Sequence, residues 1–183
     1  MLGIDPGVSR CGYGAVAGHG PDAVAVSYGV IRTDPADPLP QRLAELAEEL
    51  EALVAELSPR AVAVERVLFQ NNARTAISVG QASGLALVAA ARAGIPVTQY
   101  SPNEVKLAVA GHGGADKEQV QAMVTRLLKL DAVPQPPDAA DALALALCHQ
   151  WAAPMHARAE AADTAPTGGY ERAVAAALAR DSR

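Results

Sequence analysis

MLGIDPG, residues Met1–Gly7, is a short apolar run that ends in a carboxylate, a proline and a glycine. Leu2 and Ile4 predict a buried strand that delivers Asp5 at its C-terminal end, where the chain must turn. Pro6 fixes its own φ, and Gly7 has no Cβ, so a phosphate or a second backbone can come close. The chain opens almost on this strand, which is therefore expected to be short. Alone, the stretch reads equally as an Asp-Pro-Gly turn with a solvated aspartate. A second strand-end carboxylate, Glu65, and a carboxylate pair, Asp138 and Asp141, turn the reading toward a site.

Moving outward, Gly12 to Val16 and Ala23 to Thr33 are β-rich runs joined by GHGPD (Gly18 to Asp22), which predicts an antiparallel hairpin extension of the first strand. DPADPLP (Asp34 to Pro40) is a break. Leu43, Leu46, Ala47, Leu50, Leu53, Val54 and Leu57 then recur at helical spacing, with Glu45, Glu48, Glu49, Glu51 and Glu56 largely on the wet side. AVAVERV (Ala61 to Val67) predicts a buried strand, parallel to the first and beside it after the crossover helix. Asp5 and Glu65 then share the end of the sheet at which α/β proteins bind ligands. Glu65 could instead pair with adjacent Arg66, although side-chain alternation puts those two on opposite faces.

Thr75 to Ala93 predict a helix rich in small residues, which suit close approach by the sheet or by a second subunit. Gly94 caps it, Pro96 to Tyr100 predict a strand, and Pro102 to Ala110 a short helix carrying Lys106. GHGGAD (Gly111 to Asp116) is a loop by composition, and Lys117 to Leu130 predict another helix. PQPPD (Pro134 to Asp138) starts the last helix with Asp138 in the N-cap position, and Asp141 follows three residues on, on the same face. Capping accounts for Asp138 but poorly for Asp141, set among alanines. Residues 1–153 are expected to form one domain, with 154–183 a disordered or marginally helical tail.

No apolar run approaches the roughly 20 residues of a membrane span, and no export signal is visible, so a cytoplasmic protein is expected. Cys11 and Cys148 match no metal-ligand spacing and read as free thiols. The net charge of −5 weighs against nucleic acid, but residues 66–131 hold seven basic and four acidic groups, compatible with a phosphate-facing surface.

Asp5, Glu65, Asp138 and Asp141 form a cluster of like charges that cannot stay ionised in a confined site without cations. All-oxygen ligation suits Mg²⁺ or Mn²⁺ rather than zinc. Two such ions about 4 Å apart would activate water and stabilise the leaving oxygen of a phosphodiester. The residues thus point to phosphodiester hydrolysis.

LGIDPG with the following GYG, AVERVLFQNN, GQASGLAL, YSPNEVK, GADKEQV and PDAADALALALCH resemble, in order from Leu2 to about His149, the RuvC family of bacterial Holliday-junction resolvases. The resemblance implies an RNase H-like fold, a mixed five-stranded sheet with helices on both faces, and a homodimer. It implies a divalent metal, two Mg²⁺ ions per reacting site with Mn²⁺ a possible substitute, and symmetric nicks in opposed strands of a four-way junction leaving 5′-phosphate and 3′-hydroxyl ends. It assigns Asp5, Glu65, Asp138 and Asp141 as the metal-binding catalytic carboxylates. Phe69 falls in the loop that contacts the junction centre, and Lys106 and Lys117 on the phosphate backbone. Arg74 is a further backbone contact by charge and position. The small-residue helix would join the dimer interface, and the branch-migration proteins RuvA and RuvB are implied as partners. Phe69, the only phenylalanine, reads from composition alone as a core residue, although Gln70, Asn71 and Asn72 put it in polar company.

Two other classes compete. An actin-like or sugar-kinase-like ATPase also opens on Asp-x-Gly, but usually needs a second copy of the domain, and no second Asp-x-Gly hairpin follows residue 100. A catalytically silent junction-binding scaffold would keep Phe69 and the lysines but need not keep all four acids.

Overall fold

Strand β1 (Leu2–Asp5) lies at the centre of the sheet, with Leu2 and Ile4 buried on one face. Alternation turns Gly3 and Asp5 to the other. The computed structural model describes residues 1–67 and 73–164, the side chains of 73–75 and 153–164 excepted. β1 pairs antiparallel with β2 (Arg10–Ala17), which pairs antiparallel with β3 (Val24–Arg32). On its other side β1 runs parallel to β4 (Val62–Glu65), and β4 runs parallel to β5 (Val97–Tyr100). The order of the mixed five-stranded sheet is β3-β2-β1-β4-β5. The chain divides into two units, Met1–Gln150 and Trp151–Arg183, and the sheet lies in the first.

Helix α1 (Leu39–Leu57) starts four residues before the periodic run at Leu43, because Pro40 is at home in a first helical turn. Helix α2 (Ala73–Arg92) is closed by Gly94, whose φ of 69° only glycine adopts without strain. Both helices serve one face of the sheet. Leu46, Leu50 and Val54 of α1 and Ala82, Ala86, Ala89 and Ala90 of α2 form one core with Leu2, Ile4, Val62 and Val64. Helix α3 (Pro102–Ala110) and helix α4 (Lys117–Leu127) each begin with a capping box, Ser101 with Glu104 and Asp116 with Gln119. α4 stops three residues short of the expected Leu130, and Lys129 turns the chain at φ 53°.

The start of helix α5 (Pro137–Thr164), from Asp138 to Ala146, covers the opposite face, with its backbone in close contact at three strand glycines. A Cβ on Gly3 would stand 2.0 Å from the carbonyl oxygen of Ala142. One on Gly12 would stand 2.2 Å from that of Asp138, and one on Gly14 2.6 Å from the amide nitrogen of Leu143. Glycine on the strands and alanine on the helix let the two surfaces close to a distance that no larger pair permits. Ala139, Ala140 and residues 142–149 are buried, which is why DALALALCH reads as an apolar run rather than an amphipathic stripe.

One expectation needs correction. Asp138 is not the N-cap: the helix begins at Pro137, so Asp138 is already inside the first turn and its carboxylate points to another element. Helix α5 continues past Pro154 to Thr164. Among the described residues, no helix is long and apolar enough to cross a membrane.

Candidate active site

The registers bring the strand-end acids together. Asp5 pairs with Gly12 across β1 and β2, and Ile4 pairs with Val64, so Glu65 follows beside Asp5 at the same end of parallel neighbours. The Gly12 contact seats the first turn of α5 over this end, which adds Asp138 and Asp141. Their mutual influence is large. Burial first, then the charge of Glu65, a hydrogen bond with Glu65, and the charges of Asp141 and Asp138 push the Asp5 carboxyl from 3.8 up to about 8. Without added cations Asp5 holds its proton at neutral pH and donates it toward Glu65. Glu65 is itself raised, by burial above all; the hydrogen bond from Asp5 opposes the rise, the charge of Asp141 adds to it and that of Lys117 opposes it.

Two side-chain cations flank the pair on α5. Arg10, the first residue of β2, pairs with Asp138. Lys117, the first residue of α4, donates from Nζ to Oδ2 of Asp141 at 2.6 Å. Burial works against the Lys117 ammonium, yet the contact with Asp141 and the charges of Asp5 and Asp138 prevail and hold its pKa above the ordinary value. Lys106 joins Glu65, Lys117 and Asp141 around a cleft of about 280 Å³ with an apolar floor that includes Val105, Val120 and Leu145. Arg66 turns away from Glu65. It donates to the Gln99 carbonyl at 2.9 Å and faces Glu104 at 3.9 Å, so the adjacent-residue pairing is not formed.

Phe69 lies outside the described residues. Arg74 belongs to the first turn of α2, and its side chain lies outside them as well. Cys11 and Cys148 are free and buried, and burial pushes each thiol up to about 12, so neither is a nucleophile. Sequence reasoning missed Arg10, although a basic residue in the turn that carries Asp5 was there to be noticed. It also missed the buried contact of Tyr100 Oη with His149 Nδ1 at 2.9 Å, which ties the end of β5 to α5. Two polar residues inside apolar runs were its only trace.

Four carboxylates without thiolate or imidazole are the donor set of a hard divalent cation. An Asp5 carboxyl raised by burial and by the charges of Glu65, Asp141 and Asp138 is in keeping with that donor set. Among the described residues no three His, Cys, Asp or Glu side chains converge as they stand on one ion. Arg10 and Lys117 account for this, since each engages one of the α5 carboxylates.

The mixed five-stranded sheet in the order β3-β2-β1-β4-β5, with helices on both faces, is an RNase H-like fold. The chain belongs to the RuvC family of crossover junction endodeoxyribonucleases, whose family model matches residues 1–149. A crossover junction endodeoxyribonuclease RuvC from Salinispora arenicola is 57% identical over 171 residues, which are 92% of this chain and 98% of that one. Among solved structures, T. thermophilus RuvC in complex with a Holliday junction substrate is 42% identical with a TM-score of 0.80, over 85% of this chain and 96% of the other. The yeast mitochondrial Holliday junction resolvase Ydc2 shares the fold at 16% identity and a TM-score of 0.60, over 83% of this chain and 79% of its own.

Proposed function

We propose that this chain resolves Holliday junctions by hydrolysing phosphodiesters at Asp5, Glu65, Asp138 and Asp141, in recombination and DNA repair. The observation that carries the reading is geometric: the sheet registers set Asp5 and Glu65 side by side at adjacent strand ends, and the first turn of α5, seated on Gly12, brings Asp138 and Asp141 to the same end. Held by these residues, two Mg²⁺ ions, or Mn²⁺ in their place, would supply an activated water and neutralise the leaving oxygen, giving 5′-phosphate and 3′-hydroxyl ends. Asp5 and Glu65 are fixed by strands, and Asp138 and Asp141 by one helical turn, so little reorganisation accompanies the reaction. Lys106 and Lys117 line the cleft beside Glu65 and Asp141, and in this reading they receive the phosphate backbone. Phe69 contacts the junction centre and Arg74 the backbone beyond it, on the strength of sequence position. Residues 1–153 suffice for cleavage, in the cytoplasm and alongside RuvA and RuvB.

The test is cleavage of a synthetic four-way junction with Mg²⁺, compared with linear duplex and with EDTA. Symmetric, ligatable nicks confined to the junction and lost in EDTA are expected; binding without cutting in either Mg²⁺ or Mn²⁺ would favour the silent scaffold. Lys106→Ala and Lys117→Ala should each slow turnover and reduce the slope of log binding constant against log salt by about 0.9. Unchanged slopes would move both lysines off the DNA surface.

A homodimer places two such sites on opposed strands. α2 supports it: Ile77 and Val88 are 61% and 46% exposed, and open space lies at Gly80 and Gly84 between them on the same helix. Ile77→Asp combined with Val88→Asp should convert the protein to monomers in light scattering and abolish paired nicking. A double variant that stays dimeric would place the interface elsewhere.

A further inference from the structure

Arg10 and Arg32 are direct cross-strand partners of β2 and β3. Such partners share a face of the sheet with their Cβ atoms about 5 Å apart, and like charges there destabilise the pairing. The face is the one that carries the acids, because Gly12, two residues beyond Arg10, touches the backbone of Asp138. Arg10 has one carboxylate, that of Asp138. Arg32 is exposed and makes no ion pair among the described residues. Nearby Asp34 accepts from the amide of Ala36. The arginine pair is thus short of negative charge, and shorter still once Asp138 is given over to a cation.

The segment bearing Arg10 is held from both sides. Thr33 donates from Oγ1 to the Val8 carbonyl at 2.7 Å, and Arg42 donates to Thr33 Oγ1 at 3.0 Å and to Ser9 Oγ at 2.5 Å. Arg42 is therefore a clamp, with its guanidinium in use within the fold, whereas Arg32 is presented and Arg10 reaches across to Asp138 in the cleft. Across the first turn of α5 the order is Arg10, Asp138, Asp141, Lys117, with a cation on each flank of the acid pair.

Resting on the resolvase reading, we propose that Arg10 and Arg32 form a phosphate-binding ledge on the β2–β3 side of the catalytic cleft, opposite Lys106 and Lys117. A strand drawn across the acids meets the lysines on one side of the scissile phosphate and the ledge on the other. Guanidinium suits the task, since its planar fork takes two phosphate oxygens at once. Arg10 exchanges Asp138 for a phosphate when the site takes up metal.

The experiment is junction binding against salt, by fluorescence anisotropy, in full-length protein carrying Asp5→Asn to prevent cutting. Arg10→Gln and Arg32→Gln should each lower the salt slope by about 0.9, the double variant by about twice that, with several-fold weaker binding near physiological salt. Arg32→Lys should keep the slope. Lys129→Gln, which removes a contact to the Pro21 carbonyl at the other end of the sheet, should leave it unchanged. Calorimetric titration of the DNA-free Arg10→Gln protein with Mn²⁺, with Asp5 intact, should show affinity at least equal to the parent, because Asp138 loses a competing cation. Unchanged slopes in both arginine variants overturn the ledge while the parent still binds and cuts junctions. A loss of Mn²⁺ affinity in Arg10→Gln also overturns it, making Arg10 a prop for Asp138. A parent protein that binds no junction overturns the functional reading and the ledge with it.

Discussion

Asp5→Asn is expected to lower junction cleavage by about 10³-fold or more while junction binding is kept or tightened. The amide is nearly isosteric, so the strand end keeps its shape, but a ligand and a negative charge are lost where four acids act together. Binding is kept because without added cations Asp5 is already protonated at neutral pH, and tightens only toward higher pH, where the parent carboxylate would repel phosphate. The same variant tests the electrostatics without catalysis. The folded-state value of about 8 exceeds the ordinary 3.8, so between those limits the folded protein holds a proton that the unfolded chain has released. Stability in EDTA must then fall as pH rises through this window and level off above it. Asp5→Asn should flatten the profile and melt several degrees higher than the parent at pH 7.5 in EDTA. Normal cutting would remove Asp5 from the reaction, and a lower melting temperature with an unchanged pH profile would remove it from the charge cluster.

Gly12→Ala should be nearly as damaging, for a geometric reason. Its methyl group would lie 2.2 Å from the Asp138 carbonyl oxygen and 2.7 Å from the carbonyl carbon, both backbone atoms of a helix that cannot rotate aside. Relief requires α5 to retreat by about 1 Å, and displacement on that scale costs on the order of 10²-fold in rate. The accompanying overpacking costs about 1–3 kcal/mol of stability. Activity per folded molecule, measured beside a denaturant melt, separates the two. Full specific activity in a destabilised protein would show that the acids are not held by this contact.

The sheet and most helices could be read from sequence because their signals are local. Apolar alternation marks β1 and β4, a heptad-like stripe marks α1, and Gly94 and Ser101 punctuate α2 and α3. The acids were legible through their positions at strand ends and at one helix start. What escaped depends on contacts between distant segments. Asp138 looks like a cap from its neighbours, and only the approach of β2 shows that Arg10 takes its carboxylate. Nothing in GID or GYG announces that Gly3, Gly12 and Gly14 make room for a helix more than a hundred residues away. The stretch of α5 from Ala142 to Cys148, apolar all round, gives no periodicity from which its partners could be inferred.

The division of labour between the two sheet faces bears on how this protein tolerates mutational drift. Side chains on the α1 and α2 face set how much heat the molecule survives, while main-chain contact on the α5 face sets where the reacting acids stand. Erosion of the first face therefore yields temperature-conditional alleles that resolve junctions in the cold and fail when warmed. Erosion of the second displaces the acids as well as loosening the fold, so activity is lost before the protein melts.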